Sequence, residues 1–377
     1  MAEIDDTLPN ETITDEAFVE QEVTVPNEEM EESSEGVEVT MDEEGGAQID
    51  FDPKAEGLES QDHFSNLAEI MEDQYLGELG STLFDQYTEY KESRADWENT
   101  YREGLELLGF KYERRTEPFR GASGVNHPVL AEAVTQFQAQ AYKELLPADG
   151  PVRAQILGDI SNEKQDQANR VKDFMNYQIM DQMPEYEPEF DQMLFYLPLS
   201  GSTFKKIYYD DLLGRAVSKF VPADDLIVPY SANSLEDAEA IVHVIRMSEN
   251  EIRKQQVSGF YKDVEVGNPP VTSNELKDTE LKLEGITKNS NQDQFNLLEM
   301  HVDLDLEGFE DMGQDGEPTG IKLPYIVTIL ESTNEILSIR RNYTEDDPLK
   351  EKIKYFVQFK FLPGTGFYGF GLIHMIG

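Results

Sequence analysis

The side chains that most often carry out chemistry are few in this sequence and lie far apart. There is no cysteine, which excludes disulfides, thiolate zinc sites and a cysteine nucleophile. The five histidines never form a His-x-x-x-His pair, the spacing that places two imidazoles on one helix face. His243 lies in an alternating apolar segment, so we interpret it as a sheet residue and not as a ligand. The histidines are His63, His127, His243, His301 and His374.

Three glycines near the end of the sequence have a nucleotide-binding spacing. Gly364, Gly366 and Gly369 form G-x-G-x-x-G after a strand-like segment. A dinucleotide site needs a β-α-β unit and an acidic residue about 20 positions later. Here Pro363 precedes the motif and the sequence ends eight residues after Gly369. The pattern favours a glycine-rich hinge in front of a helix over a cofactor site.

The acidic run at residues 303–308 (DLDLEG) resembles the start of a calcium-binding loop. The twelfth position is Gln314, where such a loop needs a bidentate glutamate. We interpret the run as an alternating edge strand whose acids face water. The sequence contains neither a P-loop nor a G-x-S-x-G motif. We therefore predict no catalytic residue, no metal site and no cofactor, and a protein that is not an enzyme.

The densest group of basic residues lies in the loop predicted over residues 110–127. It can contact phosphate or the acids of a neighbouring subunit, since charge complementarity is common at assembly surfaces. It can equally be a solvated loop with local ion pairs, each worth about 0–1 kcal/mol. The four residues are Lys111, Arg114, Arg115 and Arg120.

The chain is strongly acidic, and the charge is densest at its beginning. The 377 residues carry a formal net charge of −46 at pH 7, and the first basic residue is Lys54. We predict that residues 1–62 form a disordered acidic arm, because such a segment buries too little apolar surface to offset its ordering entropy. An acidic body repels duplex DNA at long range. No apolar run approaches the roughly 20 residues of a membrane span.

The pattern along residues 63–200 is mainly helical. A stripe of Tyr87, Tyr90, Trp97 and Tyr101 predicts one helix face over about 63–109, with Ser81 as a possible cap. We interpret this stripe as core and not as a platform for stacking bases. A second helix is predicted from Pro128. A third carries Val171, Phe174, Met175 and Gln178, and a fourth segment ends near 200–201.

The apolar period changes from 3.6 to 2 after residue 201, which indicates strands. Residues 204–209 and 215–221 flank a turn and predict a β-hairpin. Further strands are predicted at 226–229, 240–247, 295–306, 325–330, 336–341 and 354–362. Ser248 and Glu251 form a capping box for another helix, and 262–294 is predicted to be a linker. Helices followed by antiparallel or mixed strands indicate an α+β fold.

Four segments, in this order, resemble the portal proteins of short-tailed bacteriophages. They are residues 117–130 (EPFRGASGVNHPVL) with the helix that follows, 195–209 (FYLPLSGSTFKKIYY), 220–255, and the terminal FLPGTGFYGFGLIHMIG. Each segment is structural and weakly specific, and the inference depends on their order. The resemblance covers about residues 64–377.

This resemblance implies a structural subunit of a head-to-tail connector in the virion. About twelve copies would form a ring at one capsid vertex, assembled in the host cytoplasm, through which DNA is packaged and ejected. The implied partners are identical subunits, the terminase large subunit, tail adaptors, capsid or scaffold, and DNA that passes without sequence-specific binding. No membrane partner is implied. Residues 63–377 would be a wing-type domain, and 363–377 the start of a stem helix at which this chain is expected to be truncated.

Three other interpretations remain open from the residues alone. The chain could be another head–tail adaptor or scaffold component, although adaptors are usually smaller and scaffolds mainly helical. An acidic DNA mimic would use the same negative charge to occupy a nucleic-acid-binding protein. A carboxylate-based hydrolase would need two acids that converge in a cleft with separated pKa values.

Overall fold

The computed structural model describes residues 38–41, 47–50, 63–108, 119, 128–158, 161–210, 213–267, 269, 275–283, 294–313, 317–364 and 366–376. The chain divides into two compact units, Met1–Gln61 and Asp62–Gly377. In the first unit, β1 (Glu38–Met41) pairs with β2 (Ala47–Asp50) as an antiparallel hairpin. The remaining residues of the predicted acidic arm that belong to this unit lie outside the described residues.

The second unit begins with helices and continues with antiparallel strands, so the predicted α+β fold is confirmed. A short 3-10 helix spans Leu67–Glu69, and a π-helical turn spans Gln178–Gln182. The α-helices are α1 (Asp73–Ser93), α2 (Ala95–Glu106), α3 (Val129–Leu145), α4 (Asn162–Tyr177), α5 (Tyr186–Ser200), α6 (Glu249–Val257), α7 (Glu275–Leu283) and α8 (Leu372–Ile376).

The first predicted helix was wrong in two respects. It is two helices, α1 and α2, separated at Arg94, whose backbone leaves the helical region at φ −104° and ψ 8°. Ser81 lies inside α1, where its hydroxyl donates to the carbonyl of Gly77 at 2.9 Å, and it caps nothing. The stripe interpretation as core holds for Tyr87 and Tyr101, which are both buried. The apolar spacing continues across Arg94, so the sequence pattern does not reveal that the helix ends there.

The strands form two antiparallel sheets. The small sheet has the order β10-β3-β4, with β3 Ser202–Asp210, β4 Arg215–Pro222 and β10 Phe356–Lys360. The large sheet has the order β5-β6-β7-β8-β9. Its strands are β5 Leu226–Ile227, β6 Ala240–Ser248, β7 Gln294–Leu304, β8 Leu323–Leu330 and β9 Glu335–Arg341. The predicted hairpin and every later predicted strand are confirmed, with small shifts at their ends.

The linker predicted over 262–294 is corrected by α7, which occupies nine of its residues. Leu276 of this helix is buried in a cluster with Tyr101 and Leu105 of α2. The helix is short and has few apolar anchors, so its sequence resembles a polar loop. The capping box in front of α6 is confirmed: the amide of Ser248 donates to Glu251 at 2.8 Å, and the Ser248 hydroxyl accepts from the Glu251 amide.

The acidic run after residue 302 does not belong to an edge strand, because β7 lies between β6 and β8. Its acids do face water, as predicted: Asp303, Asp305 and Glu307 are exposed. Within the described ranges, no group of three potential ligands is arranged to hold a metal ion. None of the described helices is both long and apolar enough to cross a bilayer.

Two apolar clusters hold α1 and the small sheet against the large sheet. One lies between α1 and the large sheet and includes Leu83, Tyr87, Val327 and Ile339. The other joins the two sheets and the C-terminal segment through Phe204, Ile241, Phe356, Phe367 and Tyr368. The small sheet is thus attached to the large one by a shared core.

Candidate functional site

The predicted basic contact residues cannot be placed. Lys111, Arg114, Arg115 and Arg120 lie outside the described residues. Their role at a subunit interface or on phosphate stays a prediction.

Two of the terminal glycines allow a close approach between backbones. A Cβ on Gly369 would lie 2.5 Å from the carbonyl oxygen of Gly201, and one on Gly371 would lie 2.0 Å from that of Leu199. Gly201 itself ends α5 with φ +82°, which a residue with a side chain rarely adopts. A side chain on Gly364 would meet the carbonyl of Tyr368 at 2.7 Å, whereas Gly366 faces open space. The predicted hinge at these glycines stays a prediction. The glycine spacing did not indicate their close packing against the backbone of residues 199–201.

The segment that carries these glycines is hydrogen-bonded to the junction between α5 and β3. The amide of Gly369 donates to the buried hydroxyl of Ser202 at 2.7 Å. The amide of Phe361 donates to the carbonyl of Gly201 at 3.0 Å. The helix α8 therefore starts from a segment that is fixed to the small sheet.

Arg94, at the break between α1 and α2, is the most completely buried cation in the described part of the chain, with 2% of its side chain exposed. Its guanidinium donates to the carbonyls of Ala223, Asp224 and Leu226 at 2.6–2.9 Å. It also donates to the hydroxyl of Tyr368 at 3.0 Å. One side chain thus connects the helices, the loop before β5 and the C-terminal segment.

A second, largely covered charge lies where the two sheets meet, at Glu299 on β7. Lys206 on β3 donates to both carboxylate oxygens at 2.6 Å. His301 Nε2 lies 2.9 Å from one of these oxygens, and His243 Nδ1 on β6 lies 3.9 Å from the same oxygen. We call these four residues the junction cluster. His243 is a sheet residue, as predicted, but it faces a carboxylate.

The electrostatics of the junction cluster follow from burial and pairing. Burial alone would raise the pKa of Glu299, but Lys206 together with the two histidines holds this pKa well below its ordinary value. Burial lowers the pKa of His301, and the charge of Lys206 lowers it further. Glu299 raises this pKa, but the net shift is downward. At neutral pH the cluster therefore holds one negative and one positive charge and a neutral His301.

The arrangement is better suited to holding sheets together than to acid–base catalysis. Both oxygens of Glu299 already accept from Lys206, and the Phe356 ring lies edge-on to both imidazoles at 5.2 and 5.6 Å. A general base needs a lone pair directed at a substrate. Lys206 and Glu299 were missed from the sequence, although a lysine and a glutamate inside apolar alternating strands could have flagged them.

The most unusual surface of the described chain is the outer side of α4. None of the 16 residues of this helix is buried. Val171, Phe174, Met175 and Tyr177 are 42–59% exposed, and we call them the α4 stripe. The Asn176 amide group holds the helix to the preceding loop, accepting from the amide of Val152 and donating to its carbonyl.

A different apolar patch is exposed on the small sheet. Ile207 and Tyr209 of β3 are 45% and 64% exposed, and Val357 of β10 is 44% exposed. They share one face, because Val357 pairs with Lys205, two residues before Ile207. We call these three residues the β3 patch. The α4 stripe and the β3 patch are two unlike apolar surfaces on one chain.

No family model matches the chain, and the curated proteins include none with significant similarity to it. We therefore infer its function from the geometry and from the resemblance of its four segments.

Proposed function

We propose that the protein is a non-enzymatic structural subunit that assembles with copies of itself into a portal ring, the head-to-tail connector of a bacteriophage virion. The observation that carries the self-assembly is the α4 stripe. The order of the four resembling segments supports the particular identity. The order of elements, helices followed by two antiparallel sheets, is compatible with the wing-type domain that the resemblance implies.

An amphipathic helix of this kind needs a partner surface. Most helical stability in proteins comes from packing an apolar face, because isolated helices of this length are marginal in water. The side chains of the α4 stripe keep 42–59% of their surface exposed, and exposed clusters of large apolar side chains mark interaction sites. Association that covers the stripe would supply the missing packing.

The presence of a second, unlike patch favours a ring over a two-fold dimer. A two-fold interface joins a patch to its own copy, whereas a cyclic ring joins one patch to a different patch on the next subunit. The α4 stripe of one subunit can meet the β3 patch of its neighbour in such a heterologous contact. Every subunit then has both surfaces covered.

The proposed partners beyond the ring come from the resemblance. They are the terminase large subunit, tail adaptors, capsid or scaffold, and duplex DNA that passes through the ring. The net charge of −46 suits the last of these, since a wall that binds few phosphates releases few counterions and lets DNA slide.

The test is the mass and symmetry of the purified protein by light scattering and negative-stain microscopy. We expect closed rings of about twelve subunits with a central hole. A protein that stays monomeric at every salt and protein concentration tried would contradict the proposal. Rings with another subunit number would support self-assembly and correct the count.

A substitution in the α4 stripe tests the surface that carries the proposal. Phe174→Asp places a charge in the predicted contact and should shift the protein from rings to monomers, because central aromatic contacts are worth about 2 kcal/mol or more. Val257→Asp is the matched control, since Val257 is 78% exposed at the end of α6 and belongs to neither apolar surface. Rings that persist in Phe174→Asp, or that are lost equally in both variants, would show that the stripe is not the contact.

A further inference from the structure

The two sheets of the second unit are joined by charge as well as by apolar packing. Lys206 belongs to the small sheet. Glu299 and His301 lie two residues apart on β7 of the large sheet and therefore on the same face. His243, on the neighbouring strand, is paired in register with Glu299. The side chains of Lys206 and Glu299 are each 14% exposed. The ion pair thus lies in the contact between the sheets and excludes most water.

The ion pair of Lys206 and Glu299 balances its own charge only when His301 is neutral. Glu299 is the carboxylate that contacts Lys206, His243 and His301 within ion-pair distance among the described residues. Lys206 already neutralises it through both oxygens. A proton added to the imidazole of His301 would leave one uncompensated positive charge in a poorly hydrated contact, which is strongly unfavourable.

The other titratable groups around the cluster do not supply a compensating charge. Tyr355, which precedes β10, and Tyr261, which follows α6, both interact with Glu299. Burial raises the pKa of each of these phenols above its ordinary value, so both stay neutral in mild acid. Arg340 interacts with Tyr261 and adds positive charge on that side. The Phe356 ring faces both imidazoles and adds no charge.

We propose that the junction cluster is an acid-sensitive latch: it holds the small sheet against the large sheet at neutral pH and loosens that contact when His301 takes up a proton. The release is local, because the apolar cluster that includes Phe204, Ile241 and Phe367 joins the same sheets independently. This inference goes beyond ring assembly and holds for a single subunit.

The direction of the pH effect follows from the lowered pKa of His301. Above about pH 6.5 the imidazole is neutral in the folded and the unfolded protein, and no stability is lost. As the pH falls below that value, the unfolded chain binds the proton first, so the stability of the folded state decreases. The loss continues until the pH reaches the lower folded pKa, and each unit of lowering multiplies the unfolding constant about tenfold.

The experiment measures hydrogen–deuterium exchange of peptides that cover β3 and β10 at about pH 7.5 and about pH 5.5, corrected for the intrinsic effect of pH on exchange. In the unaltered protein we expect the protection of these strands to fall in acid while β8, a central strand of the large sheet, keeps its protection. A loss shared by β8 would indicate general acid unfolding, and an unchanged β3 would show that there is no latch.

Lys206→Met makes the test specific to the cluster. Without the lysine, Glu299 is an unpaired buried carboxylate, and a protonated histidine becomes its counter-ion. The pKa of His301 should then rise, and the acid-induced loss of protection should become a gain. His374→Gln is the control, because burial also lowers the pKa of His374, which lies outside the cluster, and this variant should keep the loss seen in the unaltered protein.

Lys206→Arg guards against a variant that merely fails to fold. It keeps the positive charge and should keep the acid-induced loss. If Lys206→Met and Lys206→Arg lose protection in acid to the same extent, the cluster is not the sensor. If Lys206→Met does not fold, the contrast between β3 and β8 in the unaltered protein and in Lys206→Arg decides the question.

Discussion

At the scale of single residues, Arg94 shows how one buried cation can organise distant parts of a chain. Burying a guanidinium is costly unless its donors are satisfied. Here three backbone carbonyls and a tyrosine hydroxyl accept from it, and Glu98 supplies a carboxylate at 2.7 Å. Trp97 lies stacked against Tyr368, 4.7 Å between ring centres, which closes the site on one side.

Arg94→Ala should therefore destabilise the protein strongly. The substitution leaves the carbonyls of Ala223 and Asp224 without their donor in a buried place, whereas the carbonyl of Leu226 keeps the hydrogen bond from the Tyr368 hydroxyl. Each unsatisfied group costs about 1–3 kcal/mol. We expect a loss of at least about 2 kcal/mol in the free energy of unfolding. Urea denaturation followed by the fluorescence of Trp97, the single tryptophan, measures it.

The control for this prediction is Arg253→Ala. Arg253 is 58% exposed and pairs with Asp263 in solvent. Exposed pairs contribute about 0–1 kcal/mol, so the urea midpoint should hardly move. Similar losses in both variants would show that the carbonyl cage around Arg94 contributes little.

At the scale of elements, the contact between the end of α5 and the start of α8 requires glycines, which have no side chain to block it. The backbone of residues 369–371 runs against that of 199–201 closely enough that a methyl group on either side would collide. The hydrogen bonds from Gly369 to Ser202 and from Phe361 to Gly201 need this approach. The direction in which α8 leaves the sheet is set here.

Gly371→Ala should destabilise this contact, because its new Cβ would lie 2.0 Å from the carbonyl oxygen of Leu199. Overpacking of this kind costs about 1–3 kcal/mol, which calorimetry would register as a lower Tm. Gly366→Ala is the matched control in the same motif, since no atom lies within 4 Å of the position that its methyl group would take. It should leave the Tm unchanged or raise it slightly, and equal effects of the two substitutions would contradict the steric explanation.

At the scale of the whole molecule, the dominant property is negative charge. The chain has 77 acidic and 31 basic residues. Non-specific DNA binding depends on cations that displace counterions from phosphate. In the proposed ring, a subunit with this balance would surround a duplex without holding it.

We therefore expect the purified protein not to retard linear duplex DNA in a gel, even at low salt. A basic protein of similar size, run in parallel, should retard it and release it as the salt concentration rises. Salt-sensitive retardation by this chain would reveal a basic surface able to overcome the net charge. The predicted basic segment with Lys111 and Arg114 would then be the first candidate.

Much of the secondary structure could be predicted because its determinants are local. The hairpin of β3 and β4 follows from alternation around a turn, and the start of α6 follows from the Ser248 capping box. Two of the wrong predictions concern elements whose local sequence carries little signal. The break at Arg94 interrupts no apolar pattern, and α7 has too few apolar residues to show one.

The sequence by itself thus determined the α+β class, a helical part followed by antiparallel strands, and the strong negative charge. Only the tertiary structure decided that Lys206 meets Glu299, that Arg94 reaches Tyr368, and that the α4 stripe stays uncovered. The partners in the first two of these contacts are 93 and 274 residues apart in sequence. Periodicity assigns a residue to a face of its own element, but which faces meet depends on strand order and packing across the whole chain.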